Sequence, residues 1–255
     1  MMAGMRKVRL DVALAARGLA ESSEQAQRFI RAGQVDVNGH CIDKPGHLVG
    51  EEDACAIRSP PRFVSRGGEK LEAAFTTFAL NVNGLVCVDA GASTGGFTDC
   101  LLQHGAARVY AVDVGKGQLH WKLRQDARVV VCEGVNARNL AAGVFDPAPS
   151  VAVVDVAFIS LTKVLPALMG VMTPVGTLVT LIKPQFEAAR QEVAKGGVVR
   201  DAAVRQRVVE DIRVFGVNQL GLEWVGACES PIRGPAGNIE YLACWRHTGR
   251  RTGAA

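Results

Sequence analysis

The chain has 255 residues, of which 48% are hydrophobic and 21% charged, with a formal net charge of +4. That balance excludes a disordered chain, and the length suffices for one large domain, or a medium and a small one, that buries its core without metal or disulfide staples. The mild basic excess permits a polyanionic partner without demanding one.

The first sixty or so residues read as a small unit of their own. Arg9 to Arg17 is a short helical stretch with Leu10, Ala13 and Leu14 on one face. Ser22 has the character of an N-cap with Gln25 three residues on, opening a second helix through Arg31, and Gly33 fits the C-terminal stop. Val35-Asp36-Val37 alternates as a strand, Asn38-Gly39 is a tight-turn signal, Cys41-Ile42 returns, and Ala54 to Ile57 is a further short strand. Pro60 and Pro61 then mark a linker over 60–64. From Ser65 the pattern changes. Leu71, Ala74, Phe75 and Phe78 recur at helical spacing, and short apolar runs at 85–88, 109–112, 129–132, 151–154 and 177–182 alternate with helical stretches. Such runs suit parallel strands covered on both faces, so the fold class is α/β, a doubly wound Rossmann-like sheet preceded by a small α+β domain. Val204, Val208, Ile212 and Phe215 mark a late helix. Two strands near 222–227 and 239–245 follow as an antiparallel hairpin at the sheet edge, which makes the sheet mixed. The domain is expected to span 65–247, with a disordered tail over 248–255.

Seven cysteines, at 41, 55, 87, 100, 132, 228 and 244, form no C-x-x-C pair and no Cys/His cluster that the sequence shows. No zinc site or disulfide framework is expected, and unpaired thiols suit a reducing cytoplasm. Asp11 and Arg17 interrupt any signal-peptide core, and Asp155, Lys163 and two prolines break the apolar stretch 151–182, so no membrane segment is expected.

The strongest local signal is Val88-Asp89-Ala90-Gly91-Ala92-Ser93-Thr94-Gly95-Gly96-Phe97, between a strand and a helix. Glycines there let the backbone turn sharply and approach a ligand at a helix N-terminus. A ligand-free turn would need one glycine, whereas this run has three together with Ser93 and Thr94. The spacing G-x-x-x-G-G departs from the G-x-G-x-x-G of a dinucleotide site, which disfavours a nicotinamide-dependent oxidoreductase. Asp113 ends the next strand, where a carboxylate can accept from both ribose hydroxyls of a nucleoside cofactor. Alone it would be an ordinary strand-end aspartate.

Gly91-Ala92-Ser93-Thr94-Gly95-Gly96-Phe97-Thr98-Asp99 resembles the cofactor loop of FtsJ-like ribose methyltransferases, and Ser65 to Leu71 resembles the preceding segment of their TlyA, or haemolysin A, branch. Val154 to Leu161, Leu181 to Glu187 and Asn238 to Tyr241 resemble that family's following blocks. The front unit, Arg9-Leu10-Asp11 through Asn38-Gly39, is similar to the RNA-binding domain named after ribosomal protein S4. The resemblance covers nearly the whole chain; one departure is Phe63, where the family would place tryptophan.

The resemblance implies S-adenosylmethionine as cofactor, ribosomal RNA or ribosomal subunits as partner, and methyl transfer to a cytidine 2′-hydroxyl. It implies a Lys-Asp-Lys-Glu set at Lys70, Asp155, Lys183 and Glu240, each of which taken singly could be an ordinary solvated charge. Lys183 is expected as the base, with Lys70 nearby to depress it, Asp155 holding Lys183 and Glu240 fixing the lysines. Asp89, Gly91, Ser93, Thr94, Gly95, Gly96, Phe97 and Asp113 are expected around the cofactor, with Asn136 near its adenine. Arg6, Lys7, Arg9, Arg28 and Arg31 in the front unit, and Arg66, Arg200 and Arg233 near the active edge, are candidates for gripping RNA. Residues 187–199, with Gly196-Gly197, are expected to form a mobile loop. The rival readings are an RNA-anchored module without catalysis and a membrane-lytic protein; the intact glycine loop opposes the first and the lack of a basic amphipathic helix the second.

Overall fold

Leu10, Ala13 and Leu14 are the residues around which the front of the chain folds. In a computed structural model that describes residues 7–58 and 62–249, they are buried with Ala26, Ile30, Val35, Val37 and Val49 in one apolar cluster. The chain divides into two units at Arg62/Phe63. The first contains β1 (Val8–Arg9), α1 (Leu10–Ala16), α2 (Ser23–Arg31), β2 (Val35–Val37), β3 (His40–Cys41), β4 (Leu48–Val49) and β5 (Cys55–Ile57). Ser22 Oγ accepts from the Gln25 amide at 3.2 Å and the Gln25 side chain accepts from the Glu21 amide at 2.7 Å, a reciprocal cap on α2. Asn38 and Gly39, at φ +52° and +80°, close the β2–β3 hairpin, and β5 pairs with the other edge of β2. The β1–β4 pair was not foreseen, because strands of two residues are too short to show alternation.

The second unit contains α3 (Gly67–Phe78), β6 (Val86–Ala90), α4 (Gly96–Gln103), β7 (Arg108–Asp113), α5 (Trp121–Arg124), β8 (Val129–Glu133), β9 (Val151–Val154), α6 (Leu161–Val171), β10 (Val175–Ile182), α7 (Pro184–Glu187), α8 (Ala202–Leu220), β11 (Glu223–Glu229) and β12 (Tyr241–Thr248). Its seven strands lie in the order β11-β12-β10-β9-β6-β7-β8. β6 through β10 are mutually parallel, and β12 is antiparallel to both β10 and β11. Alternation assigns the two faces. Val88, Ala152, Val154, Leu178 and Ile182 meet α6 and α8, whereas Cys87, Val151, Val153, Val179 and Leu181 meet α3 and α4. Trp245 is fully buried, donates to Thr180 Oγ1 at 3.2 Å and lies against Gly216 of α8.

Three boundaries differ from expectation. Phe63 is buried against Gly68 and the Val64 amide donates to Asp99 at 2.8 Å, so these expected linker residues belong to the second unit. β12 runs through Thr248, one residue into the expected tail, whose positions 250–255 lie outside the described residues, as does Arg6. The segment expected as a mobile loop is hydrogen bonded: Ala194 bridges Val198, Asn238 donates to the Gly197 carbonyl and accepts from the Val199 amide, and Glu192 pairs with Arg207. Among the described residues no helix is long and apolar enough to cross a membrane.

A Cβ at Gly216 would lie 2.4 Å from the Trp245 ring. Gly216→Ala therefore costs about 1–3 kcal/mol of overpacking, offset by up to about 1 kcal/mol of helix propensity. The expected result is a lowered denaturant midpoint for the fluorescence transition, which reports this unit alone because Trp121, Trp224 and Trp245 all lie in it. An unchanged midpoint would show that the ring yields.

Candidate active site

The strand order reverses between β6 and β9, and the crevice beyond their carboxyl ends is where open α/β sheets bind ligands. β6 leads into the loop 91–95. Gly91 sits at φ +89°, and a Cβ there would lie 2.3 Å from the Asp155 carbonyl oxygen, so no side chain fits. Ser93 turns its amide onto Asp113 Oδ2 at 2.8 Å, while Asp113 Oδ1 accepts from the Gly115 amide at 2.7 Å. Gly95, at φ +96°, begins α4, and Leu119 and Leu123 fill the space its Cβ would take. Gly96 lets α4 approach the start of α3: a Cβ there would lie 2.8 Å from the Gly68 amide nitrogen.

Two cavities open around this loop. The larger, about 930 Å³, has Asp113, Asn136 and Asp155 among its polar lining and Val112, Val135 and Ile159 among its apolar lining. That size and mixture suit a nucleoside-bearing ligand. Asn136 also caps the turn after it, accepting from the Arg138 amide at 3.2 Å. The smaller cavity, about 280 Å³, is lined by Arg66, Lys70, Thr94, Gly96, Phe97 and Arg233 among others. Gly91, Ser93 and Asp155 line both.

The sheet register assembles the four charged candidates in two pairs. Asp155 follows β9 and Lys183 follows β10, parallel neighbours, and Lys183 Nζ lies 2.6 Å from Asp155 Oδ1 as a charge contact without hydrogen-bond alignment. Ile182 is paired with Tyr241, so Glu240 enters β12 beside Lys183, and its Oε2 accepts from Lys70 Nζ at 2.5 Å. Lys70 and Glu240 are 8% and 1% exposed. Each lysine thus has its own carboxylate, Lys70 with Glu240 and Lys183 with Asp155. The Phe186 ring centroid lies 6.0 Å from Lys183 Nζ.

The remaining candidates divide. Asp89 is fully buried and lines neither cavity; one of its oxygens accepts from Thr98 Oγ1 at 2.7 Å and the other has no hydrogen-bond partner. Burial pushes its carboxyl up to about 7, helped by Asp155 and Asp113. It braces the start of the loop from beneath. Arg200 is exposed and lines neither cavity. In the first unit Lys7, Arg9, Arg28 and Arg31 are exposed, with Arg9 paired to Asp11 at 2.7 Å. Cys100 and His104, one turn apart at the end of α4, meet Glu72 of α3 outside both cavities, and His104 Nε2 and Glu72 are already hydrogen bonded at 2.8 Å.

Sequence reasoning missed two residues. Phe158 is 91% exposed, lines the larger cavity and sits at φ +63°, a conformation costly for a bulky side chain. Its ring lies 5.1 Å from that of Phe186. Glu187 accepts from Ser160 Oγ at 2.6 Å and from the Leu161 amide at 2.8 Å, tying the Phe158 loop to the turn after Lys183. Neither has a spacing signal; only the fold brings 158 beside 186.

The Asp89 carboxyl generates a pH dependence. Between about pH 4 and 7 the folded chain holds this proton and the unfolded chain does not, so stability falls as pH rises, by up to about 1.4 kcal/mol per unit. Asp89→Asn removes that component. The difference in unfolding free energy between variant and wild type, followed across this range, should grow toward pH 7; a constant difference would show that Asp89 is ionised throughout.

Residues 63–247 match the model of the FtsJ-like methyltransferases and residues 8–55 that of the S4 domain. The chain is 46% identical over 237 residues to hemolysin A of Brachyspira hyodysenteriae, covering 92% of this chain and 98% of that one. It is 45% identical over 245 residues to the 16S/23S rRNA (cytidine-2′-O)-methyltransferase TlyA of Mycobacterium tuberculosis, covering 95% and 91%. A candidate hemolysin from Streptococcus thermophilus, solved as a structure, superposes with a TM-score of 0.74 at 45% identity, covering 96% of this chain and 90% of that one. With the glycine loop at the strand-order reversal and two lysine–carboxylate pairs beside it, the chain belongs to the FtsJ-like methyltransferase family and carries an S4 domain ahead of its catalytic fold.

Proposed function

We propose that the protein transfers a methyl group from S-adenosylmethionine to the 2′-hydroxyl of a cytidine in ribosomal RNA. The observation that carries this reading is the Lys183–Asp155 pair, with Asp155 in the wall common to both cavities. The larger cavity suits the cofactor: Asp113 offers its carboxylate to ribose hydroxyls, and Asp155 favours a cation. S-adenosylmethionine supplies an electrophilic methyl on a positively charged sulfur. The smaller cavity, with Arg66, Lys70 and Arg233, suits a phosphate-bearing nucleotide.

A ribose hydroxyl attacks only as it sheds its proton. Lys183 Nζ is the general base that accepts that proton. Glu240 holds Lys70 in the adjoining wall as a fixed cation for the developing 2′-oxyanion. Alignment and local charge supply the catalysis. Phe158 offers an aromatic face to the base of the target nucleotide, which must leave any helix that pairs it. The S4 domain, with Lys7, Arg28 and Arg31 exposed, supplies further RNA contacts.

The test is transfer of radiolabelled methyl to purified ribosomal subunits, with the modified nucleoside mapped. Label is expected on a cytidine 2′-oxygen, and Lys183→Ala should lower kcat at least ~100-fold while cofactor affinity is kept. Label on a base, or undiminished turnover by the variant, would refute the scheme. Phe158→Ala, assayed at saturating cofactor, should raise the KM for subunits about 5- to 150-fold, the range of one lost stacked base. A KM equal to wild type would remove Phe158 from substrate binding.

A further inference from the structure

Among the described residues, the only phenylalanine, tyrosine or tryptophan side chains that are exposed are Phe158 and Trp121, at 91% and 66%. The first lines the larger cavity; the second has no part in the chemistry above. We propose that Trp121 is a second aromatic platform for RNA, stacking on an unpaired nucleotide that flanks the target. The inference rests on the proposed RNA substrate.

The indole is held outward by a turn fixed from beneath. Leu119 and Leu123 are buried and occupy the space left by the missing Gly95 side chain. The His120 amide donates to the Thr94 carbonyl at 3.1 Å, and Arg124 Nε donates to the Leu119 carbonyl at 2.9 Å while its guanidinium pairs with Glu133. The apolar half of the turn is therefore committed to the cofactor loop, and Trp121 is left on the opposite side. The His120 ring stands beside it, centroids 5.9 Å apart.

The location suits a substrate contact. Gln118, just before this turn, lines the larger cavity, and the turn is hydrogen bonded to Thr94, which lines the smaller. The charge suits it too: residues 114–125 contain Lys116, Lys122 and Arg124 and no acidic residue, and both lysines are exposed. An exposed ring among cations is the composition that binds unpaired nucleotides, the ring taking the base and the ammonium groups the phosphates. A protein partner would be matched by a broader apolar surface with fewer lysines.

The experiment measures the affinity of the whole protein for purified small and large ribosomal subunits by co-sedimentation, alongside methyl transfer and the sedimentation coefficient of the free protein. Trp121→Ala should weaken binding to the modified subunit about 5- to 150-fold, and Trp121→Phe should recover most of it, with cofactor affinity unchanged in both. Wild-type affinity in Trp121→Ala, or equal losses in both variants, would overturn the platform. A change in the association state of the free alanine variant would assign the surface to self-association instead. Subunits that are labelled normally but bound without regard to Trp121 would sink this inference alone. Binding that depends on Trp121 without methyl transfer would sink the proposed reaction alone, and no binding to either subunit would sink both.

Discussion

The close passage of Gly91 beneath the Asp155 backbone is the contact on which the rest of the site depends. Adjacent parallel strands β6 and β9 diverge there, one chain turning into α4 and the other toward α6, and the Asp155 amide still donates to the Ala90 carbonyl at 2.9 Å. A side chain at 91 would force the two loops apart. Because they stay together, a single carboxylate, Asp155, borders both cavities. Under the loop, Asp89 and Thr98 fill the remaining space with a buried hydrogen bond.

Parallel and antiparallel neighbours of β10 contribute differently. The parallel partner β9 delivers Asp155 to the same end as Lys183, because the two chains run the same way. The antiparallel partner β12 delivers Glu240 to that end by starting there. The mixed sheet is thus what allows an acid from a later strand to meet Lys70 at the start of α3. The result is two buried or half-buried ion pairs where two free ammonium groups would repel, an arrangement that keeps both lysines in place before substrate arrives.

The sequence made legible those features whose signals are local. Helical spacing located α3 and α8, Ser22 with Gln25 located α2, Asn38-Gly39 located a hairpin, and β-branched runs located the parallel strands. Lys70, Asp155, Lys183 and Glu240 were singled out by the family resemblance, to which the placement of Asp155 and Lys183 after apolar strands added weight. What stayed hidden depends on long-range packing. Phe63 beside two prolines has linker composition, yet its ring meets Gly68 and closes a core. Residues 187–199 look like a glycine-rich loop until Asn238, from beyond α8, supplies their hydrogen bonds. Asp89 shares the motif's register but points inward, and the exposure of Phe158 depends on a left-handed residue that no composition rule requires.

The placement of β12 also sets an order of events during synthesis. The strand is made last among those described, yet it lies inside the sheet, between β10 and β11. The growing chain can lay down the cofactor loop and β6 through β10 while that side of β10 is still open. Until residue 240 emerges, Lys70 has no Glu240 to neutralise it, and burying an unpaired ammonium costs several kcal/mol. The wall around Lys70 therefore closes only after residue 240 has left the ribosome. A chain that stops short of β12 is left with an open edge at β10 and an unpaired charge at Lys70.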